Sequence, residues 1–322
     1  MYPLKFKKHL VKKIWGGNLF ETSLSITLPS DDLYGESWEV SSHKNGMSFV
    51  ENGDFENRSL QELLITYKDK LVGKSIYDKY NNNFPLLIKY LDINDKLSVQ
   101  VHPSDEYALR VEGEFGKSET WYIIEASDDA ELIIGTKPGI NKDNFLQKFQ
   151  DKEFQSLFNV VKVKKGDFIN VAPGTVHATL NGSILICETQ QNSDTTYRIY
   201  DFDRLVDGAL RPLHLEKAVE VIDFHQAPQI TSLETRKKIE LKDCIKEELI
   251  RGEYFNIDRL VINGEYSDEI NCNFKTYSIL DGTGNIIFNN TEYSAKKGDT
   301  YFIPALLEVK LVGNIEILKS YL

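Results

Sequence analysis

The sequence predicts a mainly β chain with two helical insertions, and three observations predict it. Short stretches alternate apolar and polar residues with the period of a strand, most clearly Leu97-Ser98-Val99-Gln100-Val101-His102-Pro103. Other apolar runs, such as Phe84 to Asp92 and Ile184 to Gln190, are short and lie between turn residues, as buried strands do. One turn, Lys164-Lys165-Gly166-Asp167 with Pro173 beyond it, recurs as Lys296-Lys297-Gly298-Asp299 with Pro304 beyond it. That repeat fits a duplicated β unit. His177 follows the first copy, whereas Glu308 stands at that step in the second.

In chain order, Lys5 to Trp15 reads as extended, with a turn at Trp15-Gly16-Gly17-Asn18. Gly35 to Ser41 reads as a strand in which Trp38 and Val40 alternate with Ser37, Glu39 and Ser41. Its polar face either meets water or lines a site. Leu60, Leu63, Leu64, Tyr67 and Leu71 then fall on one face of a helix, with Ser59 as N-cap and Glu62 completing a capping box. In the buried run that follows, Lys89 either snorkels to the surface or points into a polar cavity.

Gln100 and His102 share the polar face of their strand, which Pro103 ends. Lys117 and Glu119 share one parity of the next strand. Residues 141–158 return to helical spacing through Phe145, Leu146, Phe149 and Phe154. After the strands near His177, Glu188 and Arg198, helical spacing resumes at Leu215, Ala218, Val219 and Ile222, and Pro228 lies beyond it. A boundary near residue 235 divides the chain into 1–235, with inserts at about 59–80 and 141–158, and a smaller β-rich unit, 236–322.

Composition narrows the classes. The 322 residues carry a formal charge of −11, which argues against nucleic acid as a general partner. Three widely spaced cysteines form no disulfide framework or zinc-finger pattern and suit a reducing cytoplasm. The N-terminus lacks the apolar run of a signal peptide, and no stretch reaches the ~18 apolar residues of a membrane helix.

The chemistry-bearing residues are Gln100, His102, Glu119 and His177, on three separate strands. Two imidazoles and a carboxylate are the donors that catalytic zinc sites use, with a position left for water or substrate. An amide oxygen from Gln100 can complete the shell. Strands of a closed or sandwiched sheet can aim such residues at one point.

These segments resemble the type I mannose-6-phosphate isomerases, in their short bacterial form, within the cupin superfamily. The matching pieces are Trp15-Gly16-Gly17, Gly35-Glu36-Ser37-Trp38-Glu39-Val40-Ser41, Pro85 to Asp92, Leu97 to Pro103, Gly116-Lys117-Ser118-Glu119-Thr120-Trp121-Tyr122, Pro173 to Ala178 and Thr196-Tyr197-Arg198. The resemblance implies a cupin jelly-roll catalytic barrel followed by a metal-free cupin-like domain. It implies one Zn2+ held by His102, Glu119 and His177 and, as in the longer relatives, by Gln100. Arg198 matches the active-site arginine and Lys117 a lysine that handles protons. Trp15, Glu39, Lys89 and Glu188 are expected to line the sugar site.

The implied reaction interconverts mannose 6-phosphate and fructose 6-phosphate through an enediol. Two alternatives stay open at this point: another metal-dependent cupin enzyme, such as a dioxygenase, and a non-catalytic sugar-binding cupin. The oligomeric state is not legible.

Overall fold

The computed structural model describes residues 1–206 and 208–322. The first two thirds of the chain form two antiparallel sheets. One has the order Gln229–Thr231, Phe168–Val171, Glu119–Ala126, Ile184–Gln191, Leu86–Ile93, His9–Gly17, Tyr34–Val40. The other has the order Tyr197–Tyr200, Val99–Val101, His177–Asn181, Glu131–Thr136, Phe158–Lys162. This is the jelly-roll arrangement, built as two facing sheets rather than one closed barrel.

Alternation explains the packing. Leu91 and Ile93, Ile184 and Ile186, and Trp121 and Ile123 all point between the sheets and form one buried cluster. The residues one step out of phase, among them Tyr90, Leu185 and Tyr122, pack into a second cluster behind the larger sheet. Strand Leu86–Ile93 is therefore buried on both faces.

The last third forms an eight-stranded sheet around Lys275–Phe288, Lys310–Tyr321 and Asn256–Ser267. Gly264, Gly313 and Gly284 sit side by side on these three strands. A Cβ on Gly313 would lie 2.5 Å from the Gly284 Cα, so only glycine admits this close approach where the sheet rolls over. The boundary expected near 235 is not clean. Leu4–Lys5 pairs with Tyr301 and Phe302, so the sheet of the last third takes its edge strand from the N-terminus. Leu4, Tyr90, Phe274 and Phe302 share one core cluster.

The repeated turns are built alike. Lys164 N donates to Asp167 Oδ2 and Gly166 N to Ile123 O; Lys296 N donates to Asp299 Oδ2 and Gly298 N to Ile279 O. In both copies the glycine lies at positive φ, +89° and +86°.

The first insert is three short helices, Leu60–Tyr67, Asp69–Val72 and Lys74–Tyr80, rather than one helix through Leu71. Lys68, at φ 51°, breaks it. The capping box is present: Ser59 Oγ accepts from Glu62 N at 3.1 Å, and Glu62 Oε2 accepts from Ser59 N at 2.8 Å. The second insert comprises Lys142–Gln150 and Phe154–Leu157. The expected turn at Trp15–Gly17 instead continues the strand His9–Gly17. Among the described residues no helix is long and apolar enough to cross a membrane.

Candidate metal centre and substrate cavity

Strand pairing brings the predicted donors together. His177 lies directly across from Gln100, and Gln100 across from Arg198, so three adjacent strands of the smaller sheet present these side chains in a row. His102 leaves the same strand as Gln100. Glu119 opens its strand in the facing sheet. The ligand atoms of His102, Glu119 and His177 all lie within 4.8 Å of one another, and all three residues are buried.

The tautomers of both imidazoles follow from their neighbours. His102 Nδ1–H donates to Thr195 O, and His177 Nδ1–H to Thr175 O, each at 2.9 Å. Each Nε2 therefore turns a lone pair inward. These nitrogens face the carboxylate oxygens of Glu119 at 3.4 Å for His102 and 3.2 Å for His177. Lone pairs at that separation repel unless positive charge lies among them. Lys117 supplies part of that charge, its Nζ donating to Glu119 Oε2 and, at 3.0 Å, to His102 Nε2. Glu119 Oε1 is buried without a hydrogen-bond partner. Two inward lone pairs and an unsatisfied carboxylate oxygen fit a divalent cation of the zinc type.

Electrostatics agree. Burial pushes His102 down to about 3, with Lys117 adding to the effect, and burial also lowers His177. Both rings are thus neutral, the form that binds metal. Burial alone would raise Glu119, but the Lys117 ammonium beside it holds it well below the usual carboxylate range. Gln100 donates from Nε2 to His177 Nε2 at 3.1 Å, and Ser98 Oγ donates to its Oε1 at 3.2 Å. As placed, its amide nitrogen rather than its oxygen faces the ligand atoms.

Above this centre opens a cavity of about 320 Å³. Trp15, Lys89, Gln100, Lys117, Glu188 and Arg198 line it. Lys89 does not snorkel. Its ammonium lies 3.6 Å from Glu188 Oε1 and 3.8 Å from Glu36 Oε2, and 4.7 Å over the Trp38 ring. Arg198 donates from Nη1 to Pro212 O, while Asp201 is engaged by Arg204 and Arg211.

Glu39 does not line the cavity, contrary to expectation. Its carboxylate takes Lys8 Nζ and Ser37 Oγ, each at 2.6 Å, on the face turned toward the sheet of the last third. The strand Tyr34–Val40 is buried on both faces, so its alternation does not mark an outside. Glu36 lines the cavity instead, with the Trp38 ring beneath Lys89. Lys13, a candidate contact for phosphate or sugar on the sequence, also lines it, as do Arg211 and His214, which had no local sequence signal. His214 reaches the site because its backbone N donates to Arg198 O at 2.7 Å, while Arg198 N donates to the His214 ring Nδ1 at 3.2 Å.

A cupin-type pair of sheets that gathers two histidines and a carboxylate beneath a polar cavity defines the class of protein. A family model described as phosphomannose isomerase type I, catalytic domain, matches residues 3–135, and one described as mannose-6-phosphate isomerase, cupin domain, matches residues 245–322. The mannose-6-phosphate isomerase ManA of Bacillus subtilis is 41% identical over 323 residues, covering 99% of both chains. A mannose-6-phosphate isomerase of Streptococcus mutans is 37% identical over 99% of this chain and 98% of its own. A crystal structure of the mannose 6-phosphate isomerase from Bacillus subtilis superposes over the full length of both chains, with a TM-score of 0.91 at 32% identity. The chain belongs to the type I mannose-6-phosphate isomerase family.

Proposed function

We propose that this protein interconverts mannose 6-phosphate and fructose 6-phosphate through an enediol, as a zinc enzyme with one ion per chain. The observation that carries this reading is the convergence of two inward imidazole lone pairs and the Glu119 carboxylate on one buried point beneath the cavity. His102, Glu119 and His177 hold the ion, and Gln100 joins them when its amide turns to present Oε1. Bound zinc supplies a Lewis acid that stabilises negative charge growing on the substrate's oxygens.

The chain's own residues do the rest. Lys117 lines the cavity beside the donors and is assigned the proton that moves between C2 and C1. Arg198, permanently charged and without a carboxylate partner among the described residues, stabilises the enediolate or grips the phosphate. Trp15 walls the cavity and Glu188 faces Lys89 within it, an enclosure suited to a sugar. Residues 1–235 carry the chemistry and 236–322 form a metal-free companion, in a protein of the cytoplasm.

The test is a coupled assay on mannose 6-phosphate before and after chelation. Turnover should vanish with the metal and return with zinc. Activity that survives complete removal of metal contradicts the reading. Arg198→Ala should lose most turnover, on the order of a hundredfold, and keep its zinc. Unchanged turnover removes Arg198 from the machinery.

A further inference from the structure

Lys89 is a buried cation of the cavity that takes no part in the donor set. It stands in register between Trp38 on strand Tyr34–Val40 and Glu188 on strand Ile184–Gln191. Two carboxylates flank its ammonium, and each accepts a hydrogen bond from an indole N–H. Trp38 Nε1 donates to Glu36 Oε2 at 2.7 Å, and Trp121 Nε1 to Glu188 Oε2 at 2.9 Å. Lys13 fixes the other oxygen of Glu36 at 2.8 Å. An indole–carboxylate pair thus stands on either side of one ammonium.

The distances from Lys89 Nζ to these carboxylates, 3.6 and 3.8 Å, are ion-pair distances and too long for hydrogen bonds. The two anions therefore stabilise the charge of the ammonium while its N–H groups remain available to an oxygen inside the cavity. A direct hydrogen bond to either carboxylate would have consumed that donor capacity.

We propose that Glu36 is a positioning residue, which, with Trp38 and Lys13, holds the Lys89 ammonium aimed at a hydroxyl or carbonyl oxygen of the sugar. The inference rests on the isomerase reading of the cavity. Every charged group that faces Lys89 enters the account: Glu36 with Lys13 behind it, Glu188, and, farther off, Asp194 and Glu119 with its Lys117. Burial opposes the charge on Lys89, but these carboxylates outweigh it and keep the group protonated through the neutral range.

The experiment reads Lys89 directly. In protein labelled with nitrogen-15 at lysine, the signal that disappears in Lys89→Met reports its ammonium. In Glu36→Gln that signal should change position and its protons should exchange with water about tenfold faster, with kcat reduced about tenfold and KM changed less. Glu36→Asp should restore part of these changes and covers the case in which Glu36→Gln fails to fold. Glu39→Gln, on the opposite face of the same strand, should leave the signal and kcat unmoved.

An identical Lys89 signal and proton exchange in wild type and Glu36→Gln, or an equal change in Glu39→Gln, overturns the proposal. A wild-type protein inert toward mannose 6-phosphate whose Lys89 signal still follows Glu36 would overturn the isomerase reading while upholding the positioning.

Discussion

The sheet that carries the cavity and the sheet of the last third share a strand frame and carry opposite charges. Strand register sets the correspondence. Glu119 pairs with Val171 as Lys275 pairs with Ile303, and the repeated turns lead into Val171 and Ile303 alike. From there Glu188 corresponds to Lys319, Lys89 to Asp258, and Glu36 to Lys246. Even the bulges recur, between Leu185 and Ile186 and between Glu316 and Ile317, and around Trp38–Val40 and Glu248–Ile250. All four charged positions have changed sign. The apolar positions have not: Leu91, Ile93, Ile123 and Ile186 correspond to Leu260, Ile262, Ile279 and Ile317.

The difference teaches what each half of the frame does. The apolar half sets the fold and is kept. The polar half is free to change, provided its charges are matched. Where the first unit gathers carboxylates and imidazoles suited to a cation, the second gathers Lys275 and Lys319 around Asp268, at 2.6 and 2.7 Å, with the Tyr277 hydroxyl on the same carboxylate. Lys275 stands where Glu119 stands in the first unit, so an ammonium replaces a carboxylate of the His102, Glu119, His177 cluster.

The largest expected effect breaks the first unit alone. Glu119→Gln should lower turnover at least about a thousandfold, read in the coupled assay, whereas Lys275→Met should leave turnover per folded molecule within about twofold of wild type. Equal losses in both would mean that the two polar centres are not functionally distinct.

Next in size is Asp268→Asn, which leaves two buried ammoniums without their shared anion. It should cost about 3–5 kcal/mol in urea unfolding and leave catalysis of the folded protein intact. A loss below about 1 kcal/mol would show that Lys275 and Lys319 find charge compensation elsewhere.

A smaller effect comes from pH. His102 in the folded chain sits at about 3, below its ordinary value of 6.5. The unfolded chain thus binds the extra proton between those values, and the stability of chelator-treated protein should rise with pH across that window. His102→Gln should flatten that rise, as followed by urea unfolding at several pH values.

The smallest effect has the opposite sign. Asp92 is buried beneath the Phe20 backbone N–H, and burial raises it from 3.8 to about 6. The folded chain binds the proton more tightly there, so stability falls as pH rises from about 4 to 6. Asp92→Asn should remove that decline. Its counterpart in the second unit is Val261, which contributes none.

The sequence made the donor set legible because each donor opens or ends a short strand beside a turn. His102 precedes Pro103, His177 follows Pro173-Gly174, and Glu119 opens its strand. Residues near element ends keep their parity even when element lengths are misjudged. Glu36 was illegible for the opposite reason. It lies in a strand buried on both faces, with a bulge between Trp38 and Val40, so alternation could not say which of Glu36 and Glu39 meets the cavity.

Lys89 was ambiguous until Glu36 and Glu188, distant in sequence, closed on it. Arg211 and His214 belong to a loop placed by contacts with Arg198 and Asp201 rather than by any local period. The inversion of charge was hidden because the loops between corresponding strands differ in length. Only the turns Lys164–Asp167 and Lys296–Asp299 kept enough identity to be read as a repeat. The partnership of Leu4–Lys5 with the last third is likewise a long-range pairing that a short segment cannot announce.

The most direct test is the metal content of purified protein and two variants, measured by elemental analysis. The wild type and Lys275→Met should each hold about one zinc per chain, and Glu119→Gln should hold almost none. Full zinc in Glu119→Gln, or its loss from Lys275→Met alone, would contradict a metal centre built by His102, Glu119 and His177.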